Sequence, residues 1–203
     1  MRVRSRLVTV TFLVAMVVTS CSSAKTTSAT LPTTPPPRSD QELAARLVTA
    51  VPDGFLVQPD NVGDTGPSDL AKAVRDDDTP GAEQALHADG FVRGYQRLWV
   101  GPGDAQVIVI LYQFANPAGA TAYFGRAKAQ ATDPPVAGAA PFTVTGLPPG
   151  QSSAAAGTSG DTSAAFIVFT AGVFTGQVVC NGPALAGLQA RATAVAEDQY
   201  GRL

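Results

Sequence analysis

The chain has few of the residues on which most metal and catalytic sites depend. Its 203 residues include one histidine, His87, and two cysteines, Cys21 and Cys180. A zinc site built from histidine and cysteine needs three or four such ligands close together, and His87 has no second histidine or cysteine near it in the sequence. This inventory excludes a conventional zinc site, and we expect His87 to be an ordinary surface or helix-end residue.

Enzyme motifs are also missing. The sequence contains no Gly-x-Ser-x-Gly segment of a serine hydrolase and no glycine-rich loop followed by Lys and Ser or Thr for nucleotide phosphates. The carboxylates are spread over loops, so their spacing indicates no glycosidase pair. The run Asp76-Asp77-Asp78 lacks the alternating ligands and closing glutamate of a calcium loop, and we interpret it as a solvated loop. We therefore predict no catalytic residues, no metal ligands and no cofactor, with an unrecognised hydrolase as the alternative.

Charge argues against nucleic acid as a partner. The formal net charge is -2, but Arg2, Arg4 and Arg6 precede the first apolar run, and no acidic residue occurs before Asp40. Without residues 1–20, 11 basic residues stand against 16 acidic ones, a net charge of -5. A mildly acidic body has no electrostatic attraction for nucleic acid or for an anionic membrane surface.

The N-terminus has the three-part layout of a secretory signal. Three arginines in the first six residues are followed by an almost wholly apolar run, residues 7–18, and then by Val18-Thr19-Ser20-Cys21. This run is too short for a permanent transmembrane helix, which needs roughly 20 residues to cross about 30 Å of hydrocarbon. We therefore predict a signal peptide over residues 1–20.

Val18-Thr19-Ser20-Cys21 resembles the lipobox of bacterial lipoproteins, in which an aliphatic residue and small residues precede an invariant cysteine. The resemblance implies that the thiol of Cys21 receives a diacylglycerol, that the signal is cut just before it, and that the new amino terminus is acylated. Several acyl chains anchor stably, because each buried CH₂ contributes about 0.8 kcal/mol. The protein would then lie on the outer face of the cytoplasmic membrane, in the cell envelope. The alternatives are an ordinary signal peptide with an incidental cysteine and an uncleaved anchor.

Residues 21–39 are predicted to be the lipidated cysteine and a tether. Residues 22–39 are rich in Ser, Thr and Pro with almost no apolar side chains, a composition that forms an extended spacer rather than a packed core. Residues 40–203 suffice for a single domain. With Cys21 lipidated, Cys180 has no intramolecular partner, and we interpret it as a buried thiol in a strand. An intermolecular disulfide or a reactive thiol is the alternative.

The clearest fold signal lies in residues 91–130. Two apolar runs, 91–100 and 106–114, flank a four-residue turn, and Asn116 with Pro117 then begins a helix, with Asn as its cap and Pro at its first position. The second run is apolar on both faces and should therefore be a central strand.

The second half of the chain repeats this plan. Runs 164–170 and 173–180 are joined tightly at Ala171-Gly172 as a hairpin, and Asn181-Gly182-Pro183 opens a last helix over residues 184–200. Two strand-strand-helix units can form one antiparallel sheet with helices packed against it, so the predicted fold class is α+β, an α-β-α sandwich. The shorter predicted elements are helices at 40–50, 68–74 and 82–88, the first opened by a capping box at Ser39, and strands at 55–57, 142–144 and, weakly, 152–156.

In element order, residues 40–203 resemble the small secreted lipoproteins of mycobacteria and their relatives. The resemblance rests on the lipobox, the polar tether, a first helix that ends in PDGF, and the sequence GYQRLWVG followed by VIVILYQFANPAGA. The fold analogue in that group is the LpqN-like family, with an α-β-α sandwich of the Mog1/PsbP type, which implies no transferable catalytic residues. An alternative resemblance is to the extracellular sensor domains of mycobacterial receptor kinases, which rely on paired cysteines that this chain lacks.

Alternation along the first long strand places Phe91, Arg93, Tyr95, Arg97 and Trp99 on one face. The aromatic rings would line a groove for an apolar or amphipathic envelope molecule, and the arginines would bind its head group. The alternative is that a helix covers this face and that the arginines reach solvent past it. The sequence thus predicts a membrane-anchored, non-enzymatic lipoprotein that binds an envelope molecule. The second hypothesis is a protein-protein scaffold module of the envelope, which needs only an exposed patch.

Overall fold

The structure, a computed structural model, describes residues 35–132 and 138–203. The described ranges form one α+β domain of five α-helices and eight β-strands. The predicted signal peptide and Cys21 lie outside the described residues, so both stay predictions. In chain order the elements are α1 (Asp40–Ala44), β1 (Leu56–Val57), β2 (Gly66–Ser68), α2 (Leu70–Asp77), α3 (Ala82–Ala88), β3 (Phe91–Val100), β4 (Gln106–Phe114), α4 (Pro117–Thr132), β5 (Ala140–Pro141), β6 (Ser152–Ser159), β7 (Thr162–Ala171), β8 (Phe174–Gly182) and α5 (Leu185–Gly201).

All eight strands form one antiparallel sheet. Its order is β1-β3-β4-β8-β7-β6-β5, and β2 pairs with the same edge of β3 as β1 does. The two long hairpins, β3–β4 and β7–β8, meet where β4 pairs with β8. The most apolar run of the sequence is therefore a central strand, as predicted.

Helices cover both faces of the sheet. α1 and α5 pack against the face that carries Val107, Val109 and Leu111, called face A below. α2, α3 and α4 pack against the opposite face, face B, which carries Ile110 and Tyr112. The predicted α+β class and its α-β-α layering are thus confirmed. Val107, Val109 and Leu111 are fully buried in the core on face A.

Capping side chains begin two of the helices as predicted. Ser39 accepts a hydrogen bond from the amide of Glu42 at the start of α1, and the Glu42 carboxylate accepts one from the amide of Arg38. At the start of α4, the side-chain oxygen of Asn116 accepts a bond of 3.0 Å from the amide of Gly119. These bonds satisfy amide groups that have no partner inside a helix.

The first two helices differ from their predicted bounds. α1 ends at Ala44 instead of residue 50, because Val48 turns inward, is fully buried and donates its amide to the side chain of Gln199 instead of to a helix carbonyl. α2 begins at Leu70 instead of residue 68, because Asp69 is its N-cap. α3 has the bounds that the sequence predicted.

One strand was underestimated from the sequence because most of its residues are small. β6 pairs with β7 over eight residues, whereas the sequence predicted only a weak strand at 152–156. Its Ser, Ala and Gly residues have low intrinsic strand propensity, and pairing with the apolar β7 overrides that preference. The strand predicted at 142–144 was misplaced, since Ala140–Pro141 is the segment that pairs with β6.

The end of the predicted tether belongs to the folded domain. Pro37 is buried, and its carbonyl oxygen accepts a bond of 3.1 Å from the buried side chain of Gln113. The carbonyl of Pro35 accepts a bond from Arg46. Residues 35–39 are therefore held against the domain, which begins before the predicted residue 40. No helix in the described ranges is long and apolar enough to cross a membrane.

Candidate functional site

The strand that carries the predicted ligand-facing residues is covered by α1. Trp99 is 1% exposed and Tyr95 is 7% exposed, and both lie in the face-A core with Leu43 and Leu47. This is the arrangement of the alternative hypothesis, in which a helix covers the face.

Two arginines hold the covering segment in place. Arg97 donates to the carbonyl oxygens of Val48, at 2.7 Å, and Ala44, at 3.3 Å, and a cation is favourable beside carbonyls at the end of a helix. Arg93 forms an ion pair of 3.1 Å with Asp40 in the first turn of α1. A ligand would reach the aromatic rings beneath only if α1 moved aside. The ligand-facing role of this strand stays a prediction that requires such a movement.

Phe91 lies on the other face from its predicted neighbours. Phe91 pairs with Phe114 and Arg93 pairs with Gln113, so Val92 is an extra residue between them. Such a bulge reverses the alternation of side chains, and the ring of Phe91 packs in the face-B core. The prediction that Phe91 and Arg93 share a face was therefore wrong.

Tyr95 links β3 to the loop that follows β1. Its hydroxyl donates a hydrogen bond of 2.6 Å to the carboxylate of Asp60. Burial, together with this hydrogen bond and the charge of Asp60, raises the pKa of Tyr95 to about 12. The hydroxyl therefore stays protonated at neutral pH and does not serve as a base.

Face B is unevenly covered. Tyr112 and Phe114, at the end of β4 near α4, are 0% and 1% exposed. Farther along the same face, Ile110 and Ile108 are only half-buried, and so is Val179 on the neighbouring β8. The sheet therefore presents apolar side chains that the described helices only partly cover.

Strand register arranges these side chains in transverse rows, since residues directly opposite each other in antiparallel strands share a face. One row, called the polar row below, comprises Gln96, Ile110, Gln177 and Val168 from β3, β4, β8 and β7. The next, called the apolar row, comprises Leu98, Ile108, Val179 and Phe166 from the same strands. Four strands at a spacing of about 4.8 Å make each row roughly 14 Å long.

Exposed apolar side chains lie beside the apolar row at the sheet edge. Leu56 pairs with Val100, so its side chain lies on face B in the row next to the apolar row, and the residue is 71% exposed. The loop after β1 lies over the end of the row, because a Cβ on Gly63 would be 3.4 Å from the side chain of Leu98. The neighbouring Val62 is 45% exposed.

A partly buried polar cluster, made of Lys72, Asp76, Gln96 and Tyr112, lies at the β3 end of the polar row. Lys72, 7% exposed, donates to Asp76 at 3.1 Å and to the side-chain oxygen of Gln96 at 2.8 Å. The hydroxyl of Tyr112 donates to the same Asp76 carboxylate at 3.0 Å. Burial, followed by the influence of Tyr123 and Asp76, raises the pKa of Tyr112 far above its usual value. The cluster offers fixed hydrogen-bonding groups rather than a proton-transfer site.

His87 and the acidic run of residues 76–78 are the remaining candidates from the sequence. His87 is exposed on α3, and in the described ranges no group of three or more His, Cys, Asp or Glu residues is arranged to hold a metal ion. The solvated-loop interpretation of residues 76–78 was wrong in placing the first two in a loop, because Asp76 and Asp77 belong to the end of α2. Asp76 is exposed and belongs to the polar cluster, whereas Asp77 is buried and accepts a hydrogen bond from the hydroxyl of Thr79. Only Asp78 is an exposed turn residue.

Cys180 is a buried thiol, as the sequence predicted. It is fully buried in the face-A core, and burial raises its pKa to about 12. A partner thiol has no access to it in the folded domain, which argues against an intermolecular disulfide.

The apolar row was not identified from the sequence. β4 is apolar throughout, so nothing in its pattern distinguishes the fully buried Tyr112 from the half-buried Ile108. The difference arises from the place where α4 lies on the sheet, and α4 is anchored by a long-range bond from the hydroxyl of Thr175 to the carbonyl of Ala120.

Comparison with known proteins supports the fold. No protein-family model and no curated protein matches the chain. A solved structure with a similar fold is the extracellular domain of PknH from Mycobacterium tuberculosis, with 12% identity and a TM-score of 0.52 over 83% of this chain and 99% of that domain. The alternative resemblance, to the extracellular sensor domains of mycobacterial receptor kinases, thus has a structural counterpart, and the LpqN-like resemblance stays a prediction. At this identity the likeness establishes the fold alone.

Proposed function

We propose that this protein is a lipid-anchored, non-enzymatic binding module on the outer face of the cytoplasmic membrane, and that it binds an apolar or amphipathic envelope molecule. Two features support the location. The N-terminal sequence has a signal layout that ends in Cys21, and the fold is similar to an extracellular domain. In this proposal the lipid on Cys21 is the anchor, and residues 22–34 are the tether.

The observation that carries the ligand proposal is the apolar row. Ile108, Val179 and Phe166 lie side by side on three strands and are only half-buried, and the exposed Leu56 and Val62 continue the surface. Removing apolar surface from water stabilises a complex by about 25 cal/mol per Å². An apolar chain lying across the row would therefore gain several kcal/mol, and contiguous apolar surface of this kind is typical of binding sites.

The polar row explains why the ligand would be amphipathic. Gln177 is half-buried and donates to the hydroxyl of Tyr123 at 2.9 Å, and Gln96 is held by Lys72. Side-chain amides held in this way can form hydrogen bonds with a polar head group that lies beside the apolar row. The nearby Asp76 balances the charge of Lys72, so we expect a head group without a negative charge.

Native mass spectrometry tests the proposal. Residues 1–21 would be replaced by a conventional secretory signal, and the protein would be purified from an actinobacterial host. We expect a discrete additional mass that disappears on denaturation. Ile108→Thr combined with Val179→Thr should lower its retention at least about tenfold, since each change replaces apolar surface by a hydroxyl. The matched control is Val92→Thr, which makes a similar change at an exposed valine on the bulge. A bare mass, or equal retention by the double variant, would contradict the proposal.

The same assay separates the apolar row from the site first predicted under α1. If the ligand lies on face A, replacing Arg93 and Arg97 by Gln should lower ligand retention without unfolding the domain. If retention is unchanged, the ligand does not bind under α1, and the apolar row is the remaining candidate site.

The lipid anchor has its own test. Cys21→Ala should move the protein from the membrane fraction to the soluble fraction or leave its precursor uncleaved. An unchanged amount of processed protein in the membrane fraction would contradict lipid attachment at this residue.

A protein-protein interaction module is the second candidate function. It is favoured by the exposed side chains of Leu56, Val57 and Val62 at one edge of the sheet, because an interaction module needs an exposed apolar patch.

A further inference from the structure

Exposed apolar residues are concentrated at one edge of the sheet. Among the described residues, the large apolar side chains with the greatest exposure are Leu56 at 71%, Val57 at 52%, Val62 at 45% and Val92 at 44%. The first three lie within seven consecutive residues and are called the edge patch below. Val92 lies apart from them, on the bulge of β3.

The edge patch lies at a sheet edge without an outer neighbour, with Leu56 and Val57 on β1 and Val62 in the loop that follows. β1 and β2 both pair with β3, and no other described strand pairs with either of them. Leu56 lies opposite Val100 on face B, and Val57 lies opposite Trp99 on face A, so the patch extends around both sides of the edge. Unpaired strand edges present peptide groups to which an extended segment of another protein can add.

The segment of the chain that carries the edge patch is acidic. Residues 53–89 contain nine acidic and two basic residues. Two of the acidic residues, Asp53 and Asp89, form ion pairs with arginines outside the segment. Asp60 and Asp64, which flank Val62, are exposed. Neither belongs to any ion pair among the described residues. Their charges therefore remain uncompensated at the margin of the patch.

The acidic residues beside the edge patch favour some binding partners over others. A second copy of the chain would bring the same negative surface against itself in a two-fold interface, and an anionic membrane surface would be repelled. Complementary potentials favour association. We propose that the edge patch is a docking surface for an extended, basic protein segment in which Lys or Arg alternates with apolar residues.

The proposed segment matches the patch in both of its properties. Side chains of an added strand alternate between the two faces of the sheet, so apolar residues can cover Leu56 or Val57 while intervening cations approach Asp60 and Asp64. The edge patch shares Leu56 and Val62 with the surface proposed for the envelope ligand, whereas Val57, on face A, belongs to the docking surface alone.

The probe is a synthetic nine-residue peptide that alternates Lys and Val. Two matched peptides replace every Lys by Gln or by Glu. Each is titrated into the isotopically labelled mature chain, and amide shifts are followed by NMR at about 20 mM and about 200 mM salt. We expect the Lys peptide to shift amides of residues 56–66 and to bind at least about fivefold more tightly than the Gln peptide. We expect the higher salt to remove most of that difference, because it shortens the Debye length to less than about 10 Å.

Matched variants show which acidic residues contribute to binding of the Lys peptide. Asp60→Asn with Asp64→Asn should weaken binding of the Lys peptide by roughly 3- to 20-fold at low salt. Asp104→Asn with Asp161→Asn makes the same change in net charge elsewhere and should have no effect. Asp64 and Asp104 both have positive φ, at 64° and 58°, a conformation that Asn tolerates, so the two double variants also match in backbone geometry.

Apolar variants locate the contact. Val57→Thr should weaken binding, whereas Val92→Thr should not. The proposal is overturned if the Lys and Gln peptides bind equally, if the distant double variant weakens binding as much as the local one, or if 1 mM Lys peptide produces no shifts. It is also overturned if Ile108→Thr abolishes binding while Val57→Thr does not, because the peptide would then lie on the apolar row.

Discussion

Gln199 provides the sharpest test of how the helices are held together. It lies in α5 and is fully buried. Its side-chain oxygen accepts a bond of 3.0 Å from the amide of Val48, and its side-chain nitrogen donates a bond of 2.9 Å to the carbonyl of Arg46. These two bonds replace helical bonds that the chain loses when α1 ends at Ala44. One side chain therefore joins the segment after α1 to the last helix.

The cost of removing these bonds follows from the groups left behind. Gln199→Leu leaves an amide and a carbonyl without partners, and each unsatisfied buried group costs about 1–3 kcal/mol. The apolar surface of leucine recovers about 1 kcal/mol. We therefore expect the free energy of unfolding to fall by about 1–5 kcal/mol, against the roughly 5–15 kcal/mol typical of a domain.

Gln199→Glu adds a dependence on pH. The protonated carboxyl group can still donate to the Arg46 carbonyl, but the carboxylate cannot, and its burial is costly. Its pKa should therefore be higher in the folded state than the unfolded value of about 4.3. The folded state then binds more protons, so the stability of this variant should fall as pH rises from about 4.3 through the folded-state pKa.

Urea unfolding measures these effects. With a slope of about 1–3 kcal/mol/M, Gln199→Leu should lower the midpoint by roughly 1–2 M, and hydrogen exchange at the Val48 amide should accelerate. The control is Gln189→Leu, on the same helix at a partly exposed position. The reasoning is refuted if Gln199→Leu and Gln189→Leu differ by less than about 0.5 kcal/mol, or if the Glu variant shows no greater dependence on pH than the wild type.

Three further predictions concern packing. Gly119→Ala would place a methyl group 1.8 Å from the carbonyl oxygen of Asp89 and should lower the free energy of unfolding by about 3 kcal/mol. Gly125→Ala faces open space on the same helix and should raise the free energy of unfolding by about 0.5–1 kcal/mol. Equal urea midpoints for the two variants would contradict this packing. Arg97→Gln should cost about 1–3 kcal/mol and accelerate hydrogen exchange in α1, and unchanged exchange would show that Arg97 does not hold the segment. The thiol of Cys180, with its pKa raised to about 12, should react with a thiol reagent at pH 8 only when the protein unfolds, and fast reaction of the native protein would contradict its burial.

The long elements were predictable because their signals are local. The apolar runs of residues 91–100 and 106–114 and the Asn116-Pro117 pair are signals that act over a few residues, and the structure has two strands and a helix at these places. β6 was underestimated because its small residues carry no strand signal of their own. It becomes a full strand only when β7 pairs with it.

The candidate site was less predictable, because exposure depends on distant parts of the chain. Alternation grouped Phe91 with Arg93, but the single extra residue at Val92 moved Phe91 to the other face. The rings of Tyr95 and Trp99 were correctly placed together on a strand face, but their pattern does not reveal that α1 covers them.

Periodicity and capping within short stretches were sufficient to predict two hairpins, their two helices and the α+β class, because backbone conformation responds to neighbouring residues. Long-range contacts determine which side chains on each face of the sheet are covered and which are exposed. The bond between Val48 and Gln199 spans 151 residues, and it helps to hold the segment after α1 over face A. The position of α4 leaves Ile108 and Val179 half-buried on face B. These contacts join residues far apart in the chain, so no local pattern encodes them.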